Sequence, residues 1–275
     1  MPVTVRPSVA VTVRPSVAVR DRWIAHPGGR LFARVWTPAG GSAASRHPVV
    51  LLHDSLGCVE LWRDFPERLC AAIDRSVVAY DRLGFGRSDA RTERPGLDFI
   101  ADEARTFFPA VCEQLGIAGF VAFGHSVGGG MALHCAAAAG SGCEAVITES
   151  AQAFVEDRTV QGISAAQAQF ADAGQIDRLR RYHGAKAQWV LDAWTGTWLR
   201  PDFASWSLAP VLPQVRSPVL AIHGELDDYG TARHPEAIGR GCAGPVRVEI
   251  LPGVRHVPHR EQPERVVELV RDFLA

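Results

Sequence analysis

Gly124-His125-Ser126-Val127-Gly128 follows the apolar run Phe120-Val121-Ala122-Phe123 and opens into Gly129-Gly130-Met131-Ala132-Leu133-His134-Cys135-Ala136-Ala137-Ala138. The first run reads as a short buried strand and the last as a helix, so five residues must turn the chain between them. A nucleophile on such a turn takes a strained backbone conformation with its side-chain oxygen exposed. The residues two before and two after it approach closely and need to be glycine, which Gly124 and Gly128 are. A serine that merely caps the following helix is the plain alternative, and the rest of the chain decides between them.

Outward from the turn, length and composition set bounds. The chain has 275 residues, 47% of them hydrophobic, enough to bury a large core in one catalytic unit. With 29 basic and 30 acidic residues the net charge is -1, so bulk electrostatics recruits neither nucleic acid nor an anionic membrane. A small-molecule substrate is expected, with no nucleic-acid or membrane partner; oligomeric state is not legible. Lys186 is the one lysine among the basic residues, and its rarity is read as base composition rather than chemistry. The six cysteines (Cys58, Cys70, Cys112, Cys135, Cys143, Cys242) form no C-x-x-C pair and read as buried free thiols, neither a disulfide framework nor a zinc site. No apolar run approaches the roughly 18 residues of a membrane span, and the N-terminus lacks an apolar signal core, so a cytoplasmic location is expected.

The chain begins with Val3-Thr4-Val5-Arg6-Pro7-Ser8-Val9-Ala10, repeated unchanged at Val11 to Ala18. Two copies are too few for a solenoid, and the prolines break any helix; residues 1–18 read as a disordered tail or as two short edge strands. A hairpin is expected from Trp23-Ile24-Ala25 through Pro27-Gly28-Gly29 to Leu31–Trp36. Pro48–Leu52 and Val77–Tyr80 are continuous apolar runs of strands covered on both faces. Leu61–Ile73 and Asp102–Leu115 have helical spacing. Beyond the elbow, Glu144–Thr148, Pro218–Ile222 and Val246–Leu251 read as strands, and Glu236–Arg240 and Pro263–Leu274 as helices. Alternating strands and helices predict an α/β fold with a mostly parallel doubly wound sheet. One stretch interrupts the alternation. Residues 151–213 contain helix-like segments and four of the seven tryptophans, Trp189, Trp194, Trp198 and Trp206. They read as a helical cap over the carboxyl edge of the sheet, inserted into a core of 19–150 and 214–275. Trp194 and Trp198 lie one turn apart; these two and Trp189 are candidate substrate contacts, with burial in the cap's own core as the competing fate.

Four further stretches lie just after strands: His53-Asp54-Ser55-Leu56-Gly57, Asp81-Arg82-Leu83-Gly84-Phe85-Gly86-Arg87-Ser88, His223-Gly224-Glu225-Leu226-Asp227-Asp228 and Pro252-Gly253-Val254-Arg255-His256. In a parallel sheet these loops gather on the carboxyl edge, where open α/β sheets place their sites. Serine is a poor nucleophile near neutral pH; it needs a base, and the base needs an acid to fix its tautomer. Ser126, Asp227 and His256 supply the three roles in that order.

With these motifs in place, the chain from about Val19 onward resembles the α/β-hydrolase fold superfamily, in its serine-nucleophile, capped, esterase-like branch. Gly224-Glu225-Leu226-Asp227 resembles the family's Gly-x-x-Asp acid loop, and Gly253-Val254-Arg255-His256 its Gly-x-x-His loop before a terminal helix. The Gly84–Ser88 turn is also typical of it, as a structural element. A serine at the elbow argues against the branches that use aspartate there, the haloalkane dehalogenases and epoxide hydrolases. The resemblance implies oxyanion donors at the N–H groups of Ser55 and Val127. Asp54 departs from the pattern, standing where the family usually has glycine; its carboxylate is expected to turn away from Ser126. His259 rivals His256 as the base, and Asp228 and Glu225 rival Asp227 as the acid; motif position favours His256 and Asp227. His53 is expected to bond its own loop. The resemblance implies no cofactor and no metal. The expected function is hydrolysis of a small, largely uncharged carboxylic ester through an acyl-enzyme. Carbon–carbon bond hydrolysis on the same triad and a silent ligand-binding receptor are the alternatives.

Overall fold

The computed structural model describes residues 17–39 and 46–275. The first repeat and its copy through residue 16 lie outside the described residues. The hairpin expected near the N-terminus forms as β1 (Val17–Ile24) and β2 (Leu31–Pro38), paired antiparallel. Val17 and Ala18 pair with Pro38 and Thr37, so the tail boundary drawn at residue 18 falls inside a strand.

The remaining strands are β3 (Val49–Leu52), β4 (Val77–Tyr80), β5 (Phe120–His125), β6 (Cys143–Glu149), β7 (Val219–Gly224) and β8 (Val246–Leu251). The sheet has eight strands in the order β1-β2-β4-β3-β5-β6-β7-β8, parallel from β4 to β8. In β3, alternate residues serve opposite faces, as the two-residue period of a strand requires. Val50 and Leu52 join one core with Tyr80, Met131 and Phe108. Val49 and Leu51 join the other, with Phe65, Leu69 and Val266.

The helices are α1 (Phe65–Ile73), α2 (Phe99–Asp102), α3 (Phe108–Leu115), α4 (Val127–Ala139), α5 (Asp157–Gln169), α6 (Ala173–His183), α7 (Ala187–Trp198), α8 (Arg233–Gly241), α9 (Pro258–Glu261) and α10 (Pro263–Phe273). The helix expected over Asp102–Leu115 is interrupted by a π turn at Glu103–Phe107. Pro109 sits just beyond it; a proline inside a helix cannot donate and crowds the carbonyl four residues earlier, so the preceding turn widens. Leu61–Ile73 likewise divides into a 3-10 turn at Val59–Trp62 and α1, because Arg63 between them has φ 55°. Helices α5 to α7 fill the expected insertion between β6 and β7. Ile176, Leu179, Val190 and Leu191 form a small core there that reaches Phe85 on the β4 loop.

Candidate active site

Ser126 links β5 to α4 at φ 55° and ψ -125°, a conformation that L-residues avoid. Two neighbours make the turn possible. A Cβ on Gly124 would lie 1.9 Å from the Gly128 carbonyl oxygen, and one on Gly128 would lie 2.1 Å from that of Leu52. The Ser126 N–H donates to the Glu149 carbonyl at 2.8 Å, which ties the turn to the end of β6. Helix capping by the serine side chain is absent: Ser126 Oγ–H instead donates to Gln152 Oε1 at 3.4 Å.

Asp227 and His256 meet across the ends of β7 and β8. His256 Nδ1 lies 2.8 and 2.9 Å from the two Asp227 carboxylate oxygens. The loops carrying them are bonded together, with Leu226 N–H donating to Val254 O and Glu225 N–H to Leu251 O. Gly224 is required here, since a Cβ would stand 2.0 Å from the Arg255 carbonyl oxygen. Glu261, in α9, receives the N–H of Arg255 and of Val257, holding the chain on both sides of His256. Burial alone pushes the Asp227 carboxyl up. The charge and hydrogen bond of His256, with His223 and the Tyr229 N–H, outweigh it and leave Asp227 at about 2. Burial pulls His256 down, but Asp227 and then Asp54 and Glu149 outweigh it and leave the imidazole above its ordinary 6.5.

The rival residues are engaged elsewhere. Asp228 pairs with Arg255 at 3.0 Å, and Glu225 accepts the Gly253 N–H. His259 bonds buried Glu149 through its ring at 2.6 Å and packs at a tilt against the rings of Trp62 and Phe65. His125 Nε2 donates to the His256 carbonyl at 2.8 Å, and burial pulls its ring down to about 4. His125, Glu149 and His259 place ligand atoms within 4.8 Å of one another, the arrangement among the described residues that could hold a metal ion. Within it His259 Nδ1 bonds Glu149 Oε2, and His125 Nε2 bonds the His256 carbonyl.

Ser126 and His256 open onto one cavity of about 360 Å³ that is also lined by Asp54, Ser55, Gln152, Tyr229 and the insertion's Thr159, Ile163, Trp194 and Trp198. Val127 is the first residue of α4, so no carbonyl one turn earlier takes its N–H. The Asp54 carboxylate lies against Gly57 and 4.0 Å from His125 Nδ1. His53 bonds its own loop: Nε2 accepts the Arg82 N–H, so Nδ1 carries the proton and donates to the Asp54 carbonyl at 2.8 Å.

Trp189 corrects the sequence expectation. It is not in the cavity; it packs edge-on to Phe85 at 5.6 Å and covers the face of Gly84, where a Cβ would meet its ring at 2.4 Å. Five helical positions separate Trp189 from Trp194, about 140° around the axis, so the two face different sides. Trp198 serves two roles, touching the cavity while packing with Phe203 and Trp206. Lys186, given no role from the sequence, donates to the carbonyls of Phe85, Gly86 and Ser88 and so fastens the insertion to the β4 turn. Gln152, Tyr229 and Glu261 were missed. Tyr229, whose ring lies 4.6 Å from that of His256, sits two residues after Asp227, and that proximity was the one available signal.

A mostly parallel sheet with a strained serine turn on its carboxyl edge and a His–Asp pair facing the same cavity defines an α/β-hydrolase. The chain belongs to the alpha/beta hydrolase family, whose sequence profile matches residues 49–269. It is 35% identical over 104 residues to human "1-acylglycerol-3-phosphate O-acyltransferase ABHD5", an alignment covering 36% of this chain and 28% of that protein. It is 29% identical over 279 residues to the "Dihydrolipoyllysine-residue acetyltransferase component of acetoin cleaving system" of Pseudomonas putida, covering 91% of this chain and 68% of that one. Among solved structures, 2-hydroxy-6-oxo-6-phenylhexa-2,4-dienoate hydrolase from Rhodococcus sp. strain RHA1 is similar in fold, with a TM-score of 0.77. Its identity is 15%, covering 94% of this chain and 100% of that one. Among the described residues no helix is long and apolar enough to cross a membrane.

Proposed function

We propose that the protein is a serine hydrolase that cleaves small, largely uncharged carboxylic esters through an acyl-enzyme on Ser126. The observation that carries this reading is the strained Ser126 turn opening onto the same cavity as a His256 held by a buried carboxylate. Ser126 Oγ attacks the ester carbonyl carbon while its proton passes to His256 Nε2. The oxyanion is received by the N–H groups of Ser55 and Val127. Collapse breaks the carbon–oxygen bond, and His256 returns its proton to the leaving alcohol. Water then repeats the sequence on the acyl-enzyme, releasing the acid. Asp227 stays ionised throughout, fixing the Nδ1–H tautomer and stabilising the imidazolium.

The insertion of residues 151–213 serves as a cap that selects substrate. Its Ile163, Trp194 and Trp198, in the same cavity as Ser126, supply apolar lining, and the cavity's one arginine, Arg255, is paired with Asp228. An uncharged ester with a short acyl group or an aromatic portion fits that lining; an anionic substrate would find no free basic fork. The test is covalent labelling by a fluorophosphonate probe followed by a panel of acyl esters of graded length. Stoichiometric labelling at Ser126 with ester turnover is expected. A purified protein that neither labels nor hydrolyses any ester would refute the reading in favour of a silent receptor.

A further inference from the structure

The peptide bond between Asp54 and Ser55 has an unusual number of partners on its carbonyl side. Asp54 O accepts the His53 Nδ1–H at 2.8 Å, the Arg82 Nη2–H at 2.9 Å and the Gly57 N–H at 3.2 Å. One of these donors is a cation. Arg82, 5% exposed, comes from the loop after β4 and lies with its guanidinium 4.2 Å over the ring of Phe85, which itself packs on His53. The backbone N–H of Arg82 holds His53 Nε2, so a single residue fixes both the tautomer of His53 and the far end of its hydrogen bond.

The N–H on the opposite side of that same trans peptide belongs to Ser55, which lines the cavity with Ser126. In a planar trans peptide the C=O and N–H point in opposite directions, so anchoring one aims the other. Hydrogen bonds in series also polarise one another, most strongly when the donor is charged and sheltered from water. We infer that Arg82 is a positioning residue for oxyanion stabilisation: by bonding the Asp54 carbonyl it aims the Ser55 N–H at the reacting oxygen and strengthens it as a donor. The inference rests on the serine-hydrolase reading. It also accounts for how aspartate is accommodated at position 54, where the loop is held from below by the carbonyl rather than by the freedom of a glycine.

The test compares wild type with Arg82→Met and Arg82→Gln, neutral side chains of similar length. An aryl trifluoromethyl ketone labelled with 13C at its carbonyl forms a hemiketal with the nucleophilic serine, and its 13C shift against pH reports the pKa of the oxyanion directly. Removing a direct oxyanion donor costs about 10² to 10³ in kcat, so an indirect one is expected to cost about tenfold. In a folded neutral variant the hemiketal pKa should rise by about one unit, and kcat should fall about tenfold with KM changed less than about twofold, tenfold and one unit being equivalent. A merely structural arginine would lower the melting temperature without moving the hemiketal pKa. An unchanged hemiketal pKa in a folded variant overturns the inference alone. Failure of both variants to fold overturns it too, since Arg82 would then be a folding determinant. Wild type that forms no hemiketal overturns the serine-hydrolase reading and the inference with it.

Discussion

Replacing Asp227 by Asn keeps the shape of a side chain that is completely buried and removes its charge. Asp227 Oδ1 accepts the Tyr229 N–H at 2.8 Å, and Asn can keep that bond only with its oxygen in the same place. Its amide NH2 then replaces the oxygen 2.9 Å from His256 Nδ1 and favours a ring in which that nitrogen accepts. The imidazole proton moves to Nε2, the nitrogen that has to receive the serine proton, and turnover is expected to fall by roughly 10³ to 10⁴. The pH dependence separates this account from simple damage. In the wild type Asp227 is the principal group holding His256 above 6.5, and activity needs the neutral imidazole, so kcat/KM should rise with pH through a midpoint above 6.5. In Asp227→Asn burial is no longer outweighed, and the midpoint should move down. Stability follows the carboxylate. With its pKa at about 2 in the fold against an ordinary 3.8, Asp227 contributes about 2 kcal/mol that is complete above pH 4 and lost as pH falls toward 2. The assay is kcat/KM against pH with urea melts at pH 7 and pH 3 for Asp227→Asn and Asp228→Asn. A mild Asp227→Asn with a crippled Asp228→Asn would place the acid one residue later and refute the reasoning.

Ser126→Ala should melt like wild type, because alanine at φ 55° is no more strained than serine, while ester turnover falls by roughly 10⁴ or more; retained turnover would remove Ser126 from the chemistry. Gly128→Ala forces a Cβ to 2.1 Å from a backbone carbonyl that cannot retreat, and a loss of about 3 kcal/mol or more is expected in a denaturant melt. Trp194→Ala should raise KM for aryl esters roughly tenfold, in line with the loss of one aromatic contact, while changing the fluorophosphonate labelling rate little. Trp189→Ala should instead lower the melting temperature and leave the ester profile alone. An unchanged profile in Trp194→Ala would make that aromatic part of the insertion's core.

The sheet was legible because its signal is local. Val49–Leu52 and Val77–Tyr80 have no charged residue to turn toward water, and the one hydroxyl, on Tyr80, is satisfied inside by Glu103, so both runs are buried on both faces. The elbow was legible for a similar reason, since only glycine tolerates the contacts that a strand-to-helix turn makes at positions 124 and 128. The order of Ser126, Asp227 and His256 came from loops that must share the carboxyl edge of a parallel sheet. Helix interruptions were harder, although Pro109 was in plain view, because a π turn adds one residue to a single turn and shifts the apolar face without breaking the helix. What no local pattern contains is the direction in which a side chain finds its partner across the fold. Glu149 and Asp227 are both acids at strand ends; which histidine each one holds depends on where α9 places His259 relative to His256. The approach of Gln152 to Ser126, the fastening of the β4 turn by Lys186 and the Arg82 hydrogen bond to the Asp54 carbonyl join residues 26 to 101 positions apart. Hydrophobic period and turn chemistry act over a few residues and so determined strands, elbow and loop edge; pairing over such separations is set by packing, and only the tertiary structure decided it.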